Sequence, residues 1–117
     1  MVVQVTRKQR KVLRRIAGRA YERELAVALE QIEGAFGEWR EGKIDVWEVE
    51  NRIHEHHQGI SRELWKRYNY LDPQETVGQA IYRGVIKLDE IPEDLQDFAT
   101  EKVERIKEFL NFTDDQE

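Results

Sequence analysis

The sequence predicts an all-α protein: a small helical bundle of four main helices in a single domain, residues 1–117. Two observations support this prediction. Apolar residues recur at the three- and four-residue spacing of a helix face through most of the chain. Four segments also begin with the residues that favour helix starts, and the connections between them are short.

The first helix is predicted to begin after the N-cap residue Thr6 and to run to about Trp39. Its apolar residues form two stripes, one in residues 7–20 and one in residues 21–39. The stripe centres are rotated by roughly 130° around the helix axis. One straight helix cannot turn both stripes toward one core. We therefore expect that the helix is either broken near Gly18, or long and continuous with its first turns packed against something else.

The second helix is predicted to begin at the N-cap residue Asp45, with Glu48 three residues later, and to continue to about Leu71. Gly59 lies in its interior and is expected to weaken it by ~1 kcal/mol relative to Ala. Its apolar residues follow one predicted buried face: Val46, Val49, Ile53, Ile60, Leu64 and Leu71.

The third helix has a capping acid at Asp72 and a proline at its first position, Pro73, and Gly84 is predicted to mark its end. The fourth helix is predicted to open at Pro92, with acidic residues in its first turn. Its predicted buried stripe follows the helical spacing: Leu95, Ala99, Val103, Ile106 and Leu110. Residues 112–117 are predicted to form an acidic tail.

The composition excludes several classes of protein. The chain has no Cys, which rules out disulfides and cysteine chemistry and is compatible with a cytoplasmic location. No apolar run approaches the roughly 18 residues of a membrane span. The sequence also lacks a Gly-rich phosphate loop, a nucleophile elbow and a calcium loop. We therefore expect no cofactor and favour a protein that is not an enzyme.

Residues 1–20 form a basic amphipathic N-terminal segment. The first 21 residues contain seven basic residues and no acid, although the whole chain has a net charge of −5. The apolar side of this segment, with Val12, Leu13 and Ile16, is predicted to bind a partner. That partner is the chain's own bundle, a second subunit, another protein, nucleic acid or a lipid surface.

The charged side of the same segment carries the candidate nucleic-acid-binding residues: Arg7, Lys11, Arg14 and Arg15. Cations on one helix face attract phosphates and release counterions on binding. No aromatic residue that would stack on bases is interleaved with them.

The three histidines lie together in the second helix. Glu50, His54 and His57 are spaced so that one helix could present all three to a metal ion, although a closed site needs further ligands from another helix. The competing interpretation is that His57 is a hydrogen-bonded core residue between Ile53 and Ile60.

The residues Arg52-x4-His57 resemble the R-x4-6-H motif of HEPN-type helical ribonucleases. In that resemblance Arg52 and His57 would be the catalytic residues, acting on phosphate oxygens across a dimer interface. The chain departs from the family in having Ile53, an apolar residue, directly after the arginine.

Two tryptophans flank the stripe of the second helix. Trp47, His54 and Ser61 are seven residues apart, and Trp65 follows one turn later. Trp47 and Trp65 are either packed under a neighbouring helix or exposed as an aromatic patch that binds a protein partner. The leading prediction is a non-enzymatic helical protein-interaction module, regulatory or oligomeric. The alternatives are a HEPN-like ribonuclease, a metal-binding protein and a nucleic-acid binder.

Overall fold

The computed structural model describes residues 4–114, with the backbone alone for residues 113 and 114. Its helices are α1 (Arg7–Arg40), α2 (Val46–His56), α3 (Arg62–Asn69), α4 (Pro73–Tyr82) and α5 (Glu93–Asp114). A π-helical segment, His57–Ser61, joins α2 to α3, and a 3-10 turn, Leu88–Glu90, precedes α5.

The all-α prediction with four main helices is confirmed, since α2, the π-helical segment and α3 follow one another without a break; residues 4–114 contain no strand. We call residues 46–69 the α2–α3 arm. Helix α5 continues into the predicted acidic tail as far as Asp114, and residues 115–117 lie outside the described range.

Side chains satisfy backbone amides at three helix starts. The Thr6 hydroxyl accepts from the Gln9 amide at 3.0 Å, and the Gln9 side chain accepts from the Thr6 amide at 2.9 Å. Asp45 accepts from the Glu48 amide at 2.8 Å, and Asp72 accepts from the Glu75 amide at 2.9 Å. These contacts occupy donors that have no partner inside the helix.

Two glycines end helices in the left-handed conformation. Gly42 has φ +77° and Gly84 has φ +78°. In each case the residue after the glycine donates back over the last turn, as Lys43 does to the Glu38 carbonyl at 2.8 Å. A hydrogen bond back over the last turn requires a positive φ at the glycine, and glycine adopts a positive φ without a steric penalty.

Helix α1 is long and continuous, and Gly18 lies in its interior without a break. A single helical Gly costs ~1 kcal/mol relative to Ala, which is too little to break a helix that is buried before and after it. The chain divides into two compact units, and α1 contributes residues 7–20 to one and residues 21–40 to the other. The two apolar stripes of α1 therefore belong to two different cores.

Within the described range, the first unit contains residues 4–20 and 71–114. Gln9 donates to Asp94 at 2.9 Å, and Gly78 lies where an added Cβ would approach the Lys102 Cβ to 3.0 Å, so α4 and α5 are in close contact. The buried side chains of this unit are Leu13, Ile16, Ala20, Thr76, Val77, Ala80, Ile86, Ile91, Leu95, Phe98 and Ala99. The predicted stripe of the last helix is thus buried at Leu95 and Ala99, whereas Leu110 is 37% exposed.

The second unit contains residues 21–70 and is a helical hairpin, in which α1 packs against the α2–α3 arm. The rings of Tyr21 and Tyr68 stack at 4.9 Å. The buried apolar side chains of the hairpin are few: Ala28, Ala35, Val49 and Leu64.

The predicted stripe of the second helix is thus buried only at Val49 and Leu64, while Val46, Ile53 and Ile60 are exposed. The reason is that a two-helix hairpin offers each helix one neighbour. The π-helical segment, which contains Gly59, adds a residue to the turn and rotates α3 relative to α2.

Candidate partner-binding surface

Ion pairs connect α1 with the α2–α3 arm along one edge of the hairpin. Arg52 donates to Glu38 across the hairpin at 2.9 Å and to Glu48 on its own helix at 3.1 Å. These hydrogen bonds, with Glu48 the larger influence, raise the pKa of Arg52 above its ordinary value. Further along the same edge, Arg67 donates to both oxygens of Glu24 at 3.2 Å, and the Tyr68 hydroxyl donates to the same carboxylate.

The other edge of the hairpin is apolar. Around α1, at about 100° per residue, Glu24 and Glu38 lie to one side of the buried line Ala28–Ala35, and a set of large apolar residues lies to the other side. The two helices of the hairpin lie side by side and antiparallel, so one side of α1 and one side of the α2–α3 arm form a common surface. The apolar residues of α1 therefore lie on the same surface as apolar residues of the arm. We call the combined surface the apolar face: Leu25, Leu29, Ile32 and Phe36 of α1, with Val46, Ile53 and Trp65 of the arm.

The residues of the apolar face are accessible. Leu29 is 51% exposed, Val46 51% and Trp65 49%, and Leu25, Ile32 and Phe36 are half-buried. A shallow depression in α1 is lined by Leu29, Ile32 and Phe36. Burying a large aliphatic or aromatic side chain contributes roughly 1.5–3 kcal/mol, so this face gains stability from any surface that covers it.

A second depression lies beside the π-helical segment. It is lined by residues from both helices of the hairpin: Tyr21, His57, Gln58, Ser61, Arg62 and Trp65. Interruptions of this kind recur at functional positions of helices because they redirect side chains. His57, the first residue of the segment, is exposed and not buried as its place in the stripe predicted.

The structure distributes the predicted partner-binding residues over different environments. Leu13 and Ile16 are 0% and 4% exposed in the core of the first unit, and Val12 is half-buried. Trp47 is 77% exposed, and Trp65 is half-exposed on the apolar face. The apolar stripe of the N-terminal segment is therefore covered by the chain itself, and the accessible apolar residues are in the hairpin.

The candidate metal ligands are not gathered into one site. His54 lies 3.3 Å from the Glu50 carboxylate, as an exposed pair on one helix. His57 lines the depression beside Trp65. Among residues 4–114, no three His, Asp or Glu side chains are arranged to hold a metal ion.

Arg52 and His57 also lie on different sides of the helix. Five residues of helix separate them by roughly 140° around the axis. Arg52 lies at the ion-pair edge, bound to Glu38 and Glu48, whereas His57 lies by the apolar face. Within one chain, the two residues of the HEPN-like motif do not face a common phosphate position.

The basic residues of the N-terminal segment are at the surface. Arg7, Lys11, Arg14 and Arg15 are all exposed on the side of α1 opposite Leu13. Such a face is available to a polyanion.

Leu25, Leu29, Ile32 and Phe36 belong to the second predicted stripe of α1, and they were not identified from the sequence as a binding surface. Their stripe spans more of α1 than one neighbouring helix can cover, since it extends from the line of Ala35 to that of Leu29. The width of the stripe was the signal in the sequence that could have indicated an accessible surface.

Comparison with models of protein families, with curated proteins and with solved structures finds no match to this chain. Of the helices in residues 4–114, none combines the length and the apolarity that crossing a membrane requires.

Proposed function

We propose that the protein is a non-enzymatic helical interaction module and that the apolar face of the hairpin is its binding surface. One observation carries the proposal: the hairpin buries only Ala28, Ala35, Val49 and Leu64 between its helices and leaves seven large apolar side chains along one face. A helix stabilises a fold by burying its apolar stripe against a neighbour. The uncovered stripe of this hairpin is suited to a neighbour from another polypeptide.

Photo-crosslinking tests the proposal with a matched pair of positions. A photoreactive amino acid replaces Leu29, on the apolar face, or Val27, which is 57% exposed on another side of the same helix. We expect protein adducts from position 29 and few from position 27 in cells that produce the protein. Mass spectrometry of the adduct distinguishes a second copy from a different protein. Equal adducts at both positions, or none at position 29, would contradict the proposal.

A second candidate function, nucleic-acid binding, is favoured by the exposure of the basic residues on the N-terminal part of α1. If four cations each contact a phosphate, the logarithm of the affinity should fall with the logarithm of salt concentration with a slope of roughly −4. We expect the double substitution Lys11→Glu and Arg14→Glu to weaken binding and reduce that slope. The control, Lys43→Glu with Lys107→Glu, makes the same change in net charge at exposed residues elsewhere. Equal effects of the two double variants would exclude this face as the binding site.

A further inference from the structure

The apolar face of the hairpin has charged residues along both of its borders. On the α1 border lie Glu33 and Arg40, and on the arm border lie Glu50 and His57. The ion pairs at the opposite edge show which residues of α1 and of the arm are level, that is, at the same height along the helix axes. Glu38 lies beside Arg52 and Glu24 beside Arg67, so Arg40 is level with Glu50, and Glu33 is level with His57.

We infer that the occupant of the apolar face is a second copy of the same hairpin, related by a two-fold axis parallel to the helices. This inference rests on the proposed function and names the partner of that surface. The axis puts α1 of each copy over the α2–α3 arm of the other, at the same level and antiparallel. The product is a four-helix bundle, an arrangement in which short-loop hairpins bury their remaining apolar stripes.

Charge complementarity selects the second copy and this axis. Arg40 of each copy faces Glu50 of the other, and Glu33 of each copy faces His57 of the other. Neither of these contacts brings two residues of like charge together. The apolar residues also match in level, with Leu25 opposite Trp65. A two-fold axis across the helices would instead put α1 over α1 and arm over arm, so that Arg40 would not face Glu50 of the other copy.

The apolar face is large enough to form a stable dimer interface. Two helices of about 20 residues, each about 30 Å long and 10 Å wide, present roughly 600 Å². Two such faces bury about 1,200 Å² in total, which is the lower end of the range for specific stable interfaces. The covered area is apolar in its centre and charged at its rim, as in other protein interfaces.

Charge exchange in the purified full-length chain tests the inference. Arg40→Glu places two like-charged carboxylates opposite each other on both borders of the dimer, at the same end of the bundle, and Glu50→Arg does the same with two guanidinium groups. Sedimentation velocity should show that each variant alone dissociates about tenfold more readily than the unsubstituted chain. An equimolar mixture of the two variants should form the heterodimer with recovered affinity, because each of its Arg40–Glu50 positions again pairs opposite charges. The single chain with both substitutions should recover as well.

The control is Glu30→Arg, an exposed residue directed away from the apolar face, which changes the net charge as Glu50→Arg does and should leave the dimer intact. Circular dichroism verifies that each variant is helical. A monomeric unsubstituted chain at all accessible concentrations, or a mixture no tighter than its components, overturns the inference. Adducts at position 29 to a different protein would then leave the proposed function standing with another occupant.

Discussion

Leu13 offers a direct test of where the first apolar stripe of α1 is buried. Its side chain is 0% exposed in the core of the first unit. Leu13→Ala removes three carbon atoms, which at about 0.8 kcal/mol per buried methylene is about 2.4 kcal/mol of transfer free energy. The cavity left behind brings the expected loss to about 3 kcal/mol, within the range of about 2–5 kcal/mol for such substitutions.

Urea unfolding followed by far-ultraviolet circular dichroism measures this loss. All three tryptophans lie within residues 21–70, so tryptophan fluorescence would not report the first unit. With a slope of about 2 kcal/mol per molar urea, the midpoint should fall by about 1.5 M. The neighbouring exposed residue provides the control, since Arg14→Ala should change the unfolding free energy by less than about 0.5 kcal/mol. Equal midpoints for the two variants at the same protein concentration would refute the burial of Leu13 in the chain's own core.

Two further predictions concern helix packing and helix ends. Gly78→Val should lower the free energy of unfolding by about 1–3 kcal/mol because its Cβ would crowd Lys102, whereas Gly18→Ala, with open space around it, should raise it by up to ~1 kcal/mol. The melting temperature of Gly78→Val should lie below that of the unsubstituted chain, and that of Gly18→Ala should lie above it. The reverse order would contradict the close packing of α4 on α5. Asp72→Ala should cost about 1 kcal/mol because the Glu75 amide loses its acceptor, and Asp72→Asn should cost little. Equal losses in these two variants would show that the cap does not act through this hydrogen bond.

The helices and their starts were predictable from local sequence. Thr6, Asp45 and Asp72 act within three residues of their own position, and a capping side chain needs no distant partner. The ends at Gly42 and Gly84 are equally local, since a positive φ is a property of one residue. The break in phase within α1 was also visible, because helical periodicity alone defines where each stripe points.

The sequence by itself determined that this chain is helical, where its helices begin, and that α1 carries two differently directed apolar stripes. Tertiary structure decided what covers each stripe. It placed Leu13 in a core and left Leu29 at the surface, although both are leucines on apolar stripes of one helix. The burial of a stripe depends on the number and position of the neighbouring helices, which local periodicity does not encode. The candidate binding surface therefore follows from a hairpin of only two helices, and within the sequence the width of the second α1 stripe is the one feature that indicates it.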